Sequence, residues 1–230
     1  MRISRLAVAA AALALCGSAH ATEFIKNGDF GDNGGPGWLG NGTFATYWNV
    51  QYPNFAFLFH NGTDSGISLW TDGNGGNNGW NGFGPSPYYV GMDVVAQVQP
   101  LTQQVDNLTP GQHYTLSFRY AFAEQQGYTG DSSQQWQFSL GGQSGVTPVG
   151  NIASQGFSGW QTENYTFTTS KASELLSFIG SGGPGVPPFA LLSNVSLTQS
   201  APGPGLATGP LAVLGLLALG YARRRSAQVK

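Results

Sequence analysis

From Gln112 to Ala121 the chain alternates without a break: Tyr114, Leu116, Phe118 and Tyr120 on one side, His113, Thr115, Ser117 and Arg119 on the other. Residues two apart share a face only in an extended strand, so this stretch is a β-strand with one buried face. Such a strand needs partners, and the chain supplies them. Gln134 to Leu140 repeats the period through Trp136, Phe138 and Leu140, and Asn164 to Thr168 through Tyr165 and Phe167. Phe44 to Tyr52 alternates too. Asn54 to His60 is apolar on both faces, from Phe55 through Phe59, which predicts an inner strand covered on two sides. With Gly66 to Trp70, an extended Val94 to Val105 broken at Pro100, Leu175 to Ile179 and Phe189 to Thr198, the count reaches about ten. No run between Thr22 and Ser200 carries the spacing of an amphipathic helix. The expected fold is all-β, a two-sheet antiparallel β-sandwich.

The connections read as turns and loops. In Asn107-Leu108-Thr109-Pro110-Gly111, Pro110 fixes φ and Gly111 accepts the positive φ that a type II turn requires. Thr71 to Pro87, rich in Gly and Asn, is a long loop, and Gly180 to Pro188 is a loop before the last strand.

Both ends of the chain look like addresses. Residues 1–21 carry Arg2 and Arg5, an apolar run from Leu6 to Leu15 and Ala19-His20-Ala21, the order of a secretory signal peptide. A lipoprotein signal at Cys16 is the rival reading, and Leu15 argues against it. Residues 22–200 form the sandwich domain and 201–205 a Pro/Gly linker. Residues 206–230 form a hydrophobic C-terminal segment ending in Arg223-Arg224-Arg225. Its apolar part, Leu206 to Ala222, is 17 residues, about 25 Å as a helix and barely enough to span a membrane. The arginines place that end in the cytoplasm and the domain outside. Cys16 is the only cysteine, so the domain has no disulfide and no thiolate chemistry.

Charge narrows the partners. The domain holds Lys26, Arg119 and Lys171 against all 11 acidic residues, a formal charge of −8. Phosphate binding needs Lys and Arg, so nucleic acid is excluded as a partner, and neutral ligands or cations fit better. No catalytic constellation emerges, and the domain is read as noncatalytic. His60 and His113 fall at strand ends, no nucleophile elbow precedes a helix, and Glu124 is the acid best placed for a role. The loop oxygen donors Asp72, Asn74 and Asn77 lack the EF-hand pattern because Phe83 stands at its twelfth position. A sugar's apolar face stacks on aromatic rings while amides and carboxylates bond its hydroxyls. Trp70, Trp80, Tyr88 and Tyr89 stand in or beside the Gly/Asn-rich loop, and with Arg119 they are the candidate ligand-binding residues; Trp48 and Trp136 belong to the core.

Phe24-Ile25-Lys26-Asn27-Gly28-Asp29-Phe30 with Gly37-Trp38, then Leu108 to Phe118, then Leu191 to Thr198 resemble the opening strand, central hairpin and closing strand of galactose-binding-like jelly rolls, which include carbohydrate-binding modules. That resemblance implies a jelly roll and polysaccharide as ligand. Some relatives hold a structural calcium; two of the oxygen donors of that pattern are replaced here, leaving Asp29 and Asp32, so a calcium is permitted and no other cofactor is implied. The tail resembles the PEP-CTERM sorting signal read by exosortase, with Pro202-Gly203-Pro204 standing where an acidic residue normally separates the prolines. Pro202, Pro204 and the three arginines are the candidate sorting residues. The implied itinerary is export, a transient stay in the inner membrane, then the cell surface or extracellular matrix. A purely structural surface protein and a polysaccharide-acting enzyme are the alternatives.

Overall fold

The computed structural model describes residues 21–60, 66–70, 87–96 and 98–200. The signal peptide, the linker, the C-terminal segment with its sorting residues, Trp80 and nearly all of the 71–87 loop lie outside the described residues.

Eleven strands are present, and no helix occurs among the described residues: β1 Gly37–Trp38, β2 Ala56–His60, β3 Tyr88–Asp93, β4 Leu101–Val105, β5 His113–Glu124, β6 Ser132–Leu140, β7 Gln143–Val146, β8 Gly150–Ile152, β9 Gln161–Thr168, β10 Glu174–Gly183 and β11 Pro188–Gln199. They form a six-stranded sheet, β1-β2-β3-β11-β5-β9, and a five-stranded sheet built on β4-β10-β6-β7, with β8 pairing the start of β6; all pairings between strands are antiparallel. The fold is the expected β-sandwich of jelly-roll type.

Periodicity decides what goes between the sheets. Tyr114, Leu116, Phe118, Tyr120 and Phe122 of β5 meet Trp136, Phe138 and Leu140 of β6 and Leu176 and Phe178 of β10 in one buried cluster. Trp136 is fully buried and its indole N–H donates to the Leu191 carbonyl at 3.0 Å. β2 is covered on both faces as expected: Ala56 and Leu58 join this cluster, while Phe57 and Phe59 join a second one on the other side of the six-stranded sheet. The turn before β5 also forms as expected, with Gly111 at φ 80° and the Gln112 N–H donating to the Thr109 carbonyl at 3.1 Å.

Three expectations are corrected. Phe44 to Tyr52 is not a strand. Tyr47 takes φ 70° and the Trp48 N–H turns back to the Ala45 carbonyl, so the alternation breaks: Trp48 and Val50 are buried, whereas Phe44, Tyr47 and Tyr52 are exposed. Gly66 to Trp70 forms no strand, only isolated bridge residues at Leu69, which pairs with Gln125, and at Trp70. The glycines after Ile179 do not start a loop, because β10 runs through Gly183. A Cβ on Gly180 would lie 2.4 Å from Val94 Cγ1, and one on Gly182 would lie 2.1 Å from the Ser133 carbonyl oxygen. These glycines permit close approach inside a sheet. β3, β7 and β8 were not legible as strands: β3 carries Gly91 and Asp93, and the other two are short and polar.

Candidate functional site

Two sheet faces turn away from the core, and the candidate residues divide between them and the interior. On the six-stranded sheet, pairing places Phe59 beside Tyr89, and Ser193 beside Arg119, which in turn faces Thr162. The Ser193 hydroxyl donates to the Tyr88 carbonyl at 3.3 Å and joins the two halves of this row. Tyr89 and Arg119 therefore share a face. Tyr89 is nonetheless fully buried, stacked on Phe59 with centroids 5.2 Å apart and edge-on to Trp160 at 5.7 Å, and burial pushes its phenol well above the ordinary range. Its ring serves packing in the second cluster and is not available to a ligand. Tyr88 points to the opposite face, because neighbours in a strand must, and its ring lies 4.5 Å from that of His60. Trp70 adjoins the end of β5, its backbone N–H on the Glu124 carbonyl at 2.9 Å and its indole nitrogen buried without a hydrogen-bond partner. Arg119, half-buried, heads a polar quarter of this face with Ser117, Thr115, Asn164 and Thr166.

Asp29 and Asp32 are not brought together as a ligand set. The Asp29 carboxylate accepts the Gly31 N–H at 3.2 Å, and Asp32 acts through its backbone, which the Asn27 side chain holds. Among the described residues, no group of three or more His, Cys, Asp or Glu side chains is placed to hold a metal ion.

Among the described residues, no element packs over the outer face of the five-stranded sheet. Its strands present side chains in rows: Thr102, Ser177, Ser139 and Ser144; then Ile179, Gln137 and Val146; then Ser181 and Gln135; then Gly183, Ser133 and Asn151. No charged residue stands in any row. The rows flank three depressions along β6 and β10, of about 490, 140 and 170 Å³, the largest lined by Asp131, Ser133, Asn151 and Gly183. Gln137 donates to the Ser181 hydroxyl at 3.2 Å, and Ser133 to the Gly183 carbonyl at 3.1 Å. Tyr128, 46% exposed, stands in the turn that leads to Asp131. The sequence signal for this face lay in β6, whose outward positions are only Ser and Gln while Trp136, Phe138 and Leu140 point inward.

Glu124 ends β5 with its side chain fully buried. One carboxylate oxygen, Oε2, accepts the Gln155 N–H, and the other has no hydrogen-bond partner. Burial pushes its carboxyl above the usual range, the Gln155 N–H partly offsets that, and the charge of Asp131 adds to it. A carboxyl whose folded value is raised favours folding most below its unfolded range and loses that contribution as pH climbs through the folded value. Asp93, 5% exposed, is raised by burial in the same sense. In metal-free buffer, Glu124→Gln is therefore expected to melt a few degrees above the unsubstituted protein at pH 7. The gap should close as pH falls toward about 4. Calorimetric melts across that range check it, and a gap that does not vary with pH refutes the assignment.

No family model matches the sequence, and no curated protein matches it. Solved structures of similar architecture exist. A family 61 carbohydrate-binding module in complex with β-1,4-galactotriose superposes with a TM-score of 0.45 at 12% identity over 78% of this chain and 100% of its own. A Stig cyclase, Fisc, from Fischerella sp. TAU gives 0.47 at 14% over 79% and 98%. The xylan-binding domain from Paenibacillus barcinonensis Xyn10C gives 0.40 at 7% over 79% and 97%.

Proposed function

We propose that this chain is an exported, noncatalytic protein that contacts neutral polysaccharide through the outer face of its five-stranded sheet. One observation supports this above the rest: hydroxyl and amide side chains predominate on that face, with Ile179 and Val146 among them and no charged group in its rows, beside three depressions of which only the largest, at one end, has a charged residue, Asp131, in its lining. Sugar hydroxyls need donors and acceptors of that kind, and an uncharged surface takes a neutral chain without desolvating ions. This site differs from the loop aromatics that the sequence suggested. The tail adds the destination: a signal resembling PEP-CTERM, read by an exosortase-type enzyme after transient membrane insertion, with the cell surface or matrix as the end point.

Affinity electrophoresis through gels containing neutral polysaccharides, galactan and xylan among them, tests the binding. Each lost hydrogen bond is worth about 1 kcal/mol, so the double variant Gln135→Ala, Gln137→Ala should weaken retardation about thirty-fold. Absence of retardation by every polysaccharide, including the host's own, would favour a structural surface protein without ligand. For the tail, mass spectrometry of the mature C-terminus should find a product ending before Leu206. An intact Lys230 in the membrane fraction would make the segment an ordinary anchor.

A further inference from the structure

The end of the sandwich beside the largest depression holds more acceptors than donors. Glu124 and Gln134 continue the inward series of their strands, after Tyr120 and Phe122 and before Trp136 and Phe138, and enter the space between the sheets at the same end. They are 0% and 1% exposed. Glu124 Oε1 and Gln134 Oε1 both lack a hydrogen-bond partner. The Gln134 amide N–H groups donate to Ser132 Oγ at 3.1 Å and to the Ala123 carbonyl at 3.4 Å, next to Glu124 in the chain. Asp131, which lines the depression, accepts the Ser154 N–H at 3.0 Å through Oδ1.

Two buried oxygens without donors are each costly, because each has lost its water without gaining a partner. A cation satisfies both at once. The available atoms are carboxylate and amide oxygens with no imidazole or thiolate, a hard donor set that suits calcium better than zinc. We propose that Glu124, Gln134 and Asp131 form a site for a divalent cation of the calcium class at this end of the sandwich. Two carboxylates and one amide leave several coordination positions to water from the depression, so the affinity is moderate and the ion exchanges. The site would tie the end of β5 to the start of β6 and to the 153–156 segment, bracing the floor of the groove.

The test uses the full chain stripped with a chelator and titrated with calcium chloride by calorimetry, with melting curves in parallel. One ion per chain and a raised melting temperature are expected, and Glu124→Gln and Asp131→Asn should each weaken uptake at least tenfold. Asp106→Asn, whose carboxylate accepts the Ser173 hydroxyl at 2.5 Å in another part of the fold, should leave uptake unchanged. No uptake by the unsubstituted chain overturns the proposal and assigns Glu124 as a protonated donor instead. Uptake of equal strength in both variants overturns it too. If Glu124→Gln fails to fold, Asp131→Asn decides, because Asp131 is exposed. No glycan enters the assay, so its outcome is separate from that of the polysaccharide reading.

Discussion

Replacing Phe178 with alanine should destabilise the domain by about 3–5 kcal/mol, the usual range for a buried aromatic truncated in a core. Phe178 projects from β10 and is fully buried. It sits edge-on to Phe118 of the opposite sheet at 5.1 Å and to Trp136 at 6.2 Å. It also meets Phe138 of its own sheet and Trp48 of the 39–55 segment, each at 6.3 Å. One ring thus joins both sheets to the segment that closes their edge. Surrounding rings are themselves held, Trp136 by its bond to Leu191 and Trp48 by an indole N–H on the Asn27 carbonyl at 2.9 Å, so they cannot collapse into the space. Equilibrium unfolding in urea followed by tryptophan fluorescence measures the loss. Leu175→Ala, three residues earlier in the same strand but 49% exposed, should change stability by less than about 0.5 kcal/mol. If the two variants unfold at the same urea concentration, Phe178 is not where the sheets lock.

The parts of the fold legible from sequence are those where one physical rule acted alone. β5 and β6 each bury one face, β9 buries Phe167 with Tyr165 half-buried on the same side, and the alternation of all three fixes both conformation and facing. β2 lost its alternation for a reason that could itself be read, since both of its faces meet apolar clusters. The failures came where two rules competed. Alternation between Phe44 and Tyr52 is genuine, but the amide of Asn27 bonds the Thr46 carbonyl at 3.0 Å and Tyr47 turns left-handed, so side-chain capture of the backbone outweighs strand propensity. Glycine misled in the opposite direction in β10, where it looked like flexibility and serves contact.

The site was harder to read for a related reason. Ranking aromatics by their place in a loop assumes that loop neighbours share an environment, yet Tyr88 and Tyr89 lie in a strand, where adjacent residues face opposite ways. The row that unites Tyr89 with Arg119 depends on pairing through β11, a hundred residues away in the chain, which no local pattern discloses. The outer face of the five-stranded sheet is assembled from five strands by the same kind of long-range register. Only its β6 contribution, Ser133, Gln135, Gln137 and Ser139, was visible as a periodic set. Its lack of charge looks like filler in one strand and becomes a property of a surface once β10 adds Ser177, Ile179 and Ser181 beside it.

Gly28→Ala should cost about 3 kcal/mol through overpacking against backbone, although Gly28 lies in an exposed-looking Asn-Gly-Asp sequence. β11 carries a bulge between Ser193 and Ser196, with Asn194 at φ 47°, and the bulge turns Val195 toward the core at 4% exposure. That places the Val195 carbonyl against Gly28: an added Cβ would lie 1.8 Å from its oxygen and 2.9 Å from its carbon. The same pair shares a hydrogen bond, Val195 N–H to the Gly28 carbonyl at 2.9 Å, so neither backbone can withdraw without losing it. Opening this contact lifts the 23–30 segment from β11, where the Phe24 N–H meets the Leu197 carbonyl at 3.0 Å and Glu23 accepts the Leu197 N–H at 2.8 Å. It also uncovers Ile25 and Phe30, and Phe30 packs on Trp48 at 5.3 Å, so the disturbance reaches the cluster around Phe178. Gly185→Ala, where an added Cβ meets nothing within 4 Å, is the matched control and should fall within about 0.5 kcal/mol of the unsubstituted protein. Hydrogen exchange separates this mechanism from a general loss of stability: Gly28→Ala should raise exchange at Phe24, Val195 and Leu197 more than at Trp136 or Phe138. Uniform acceleration across all of them would mean that the opening segment and the bulge are not coupled as their geometry requires.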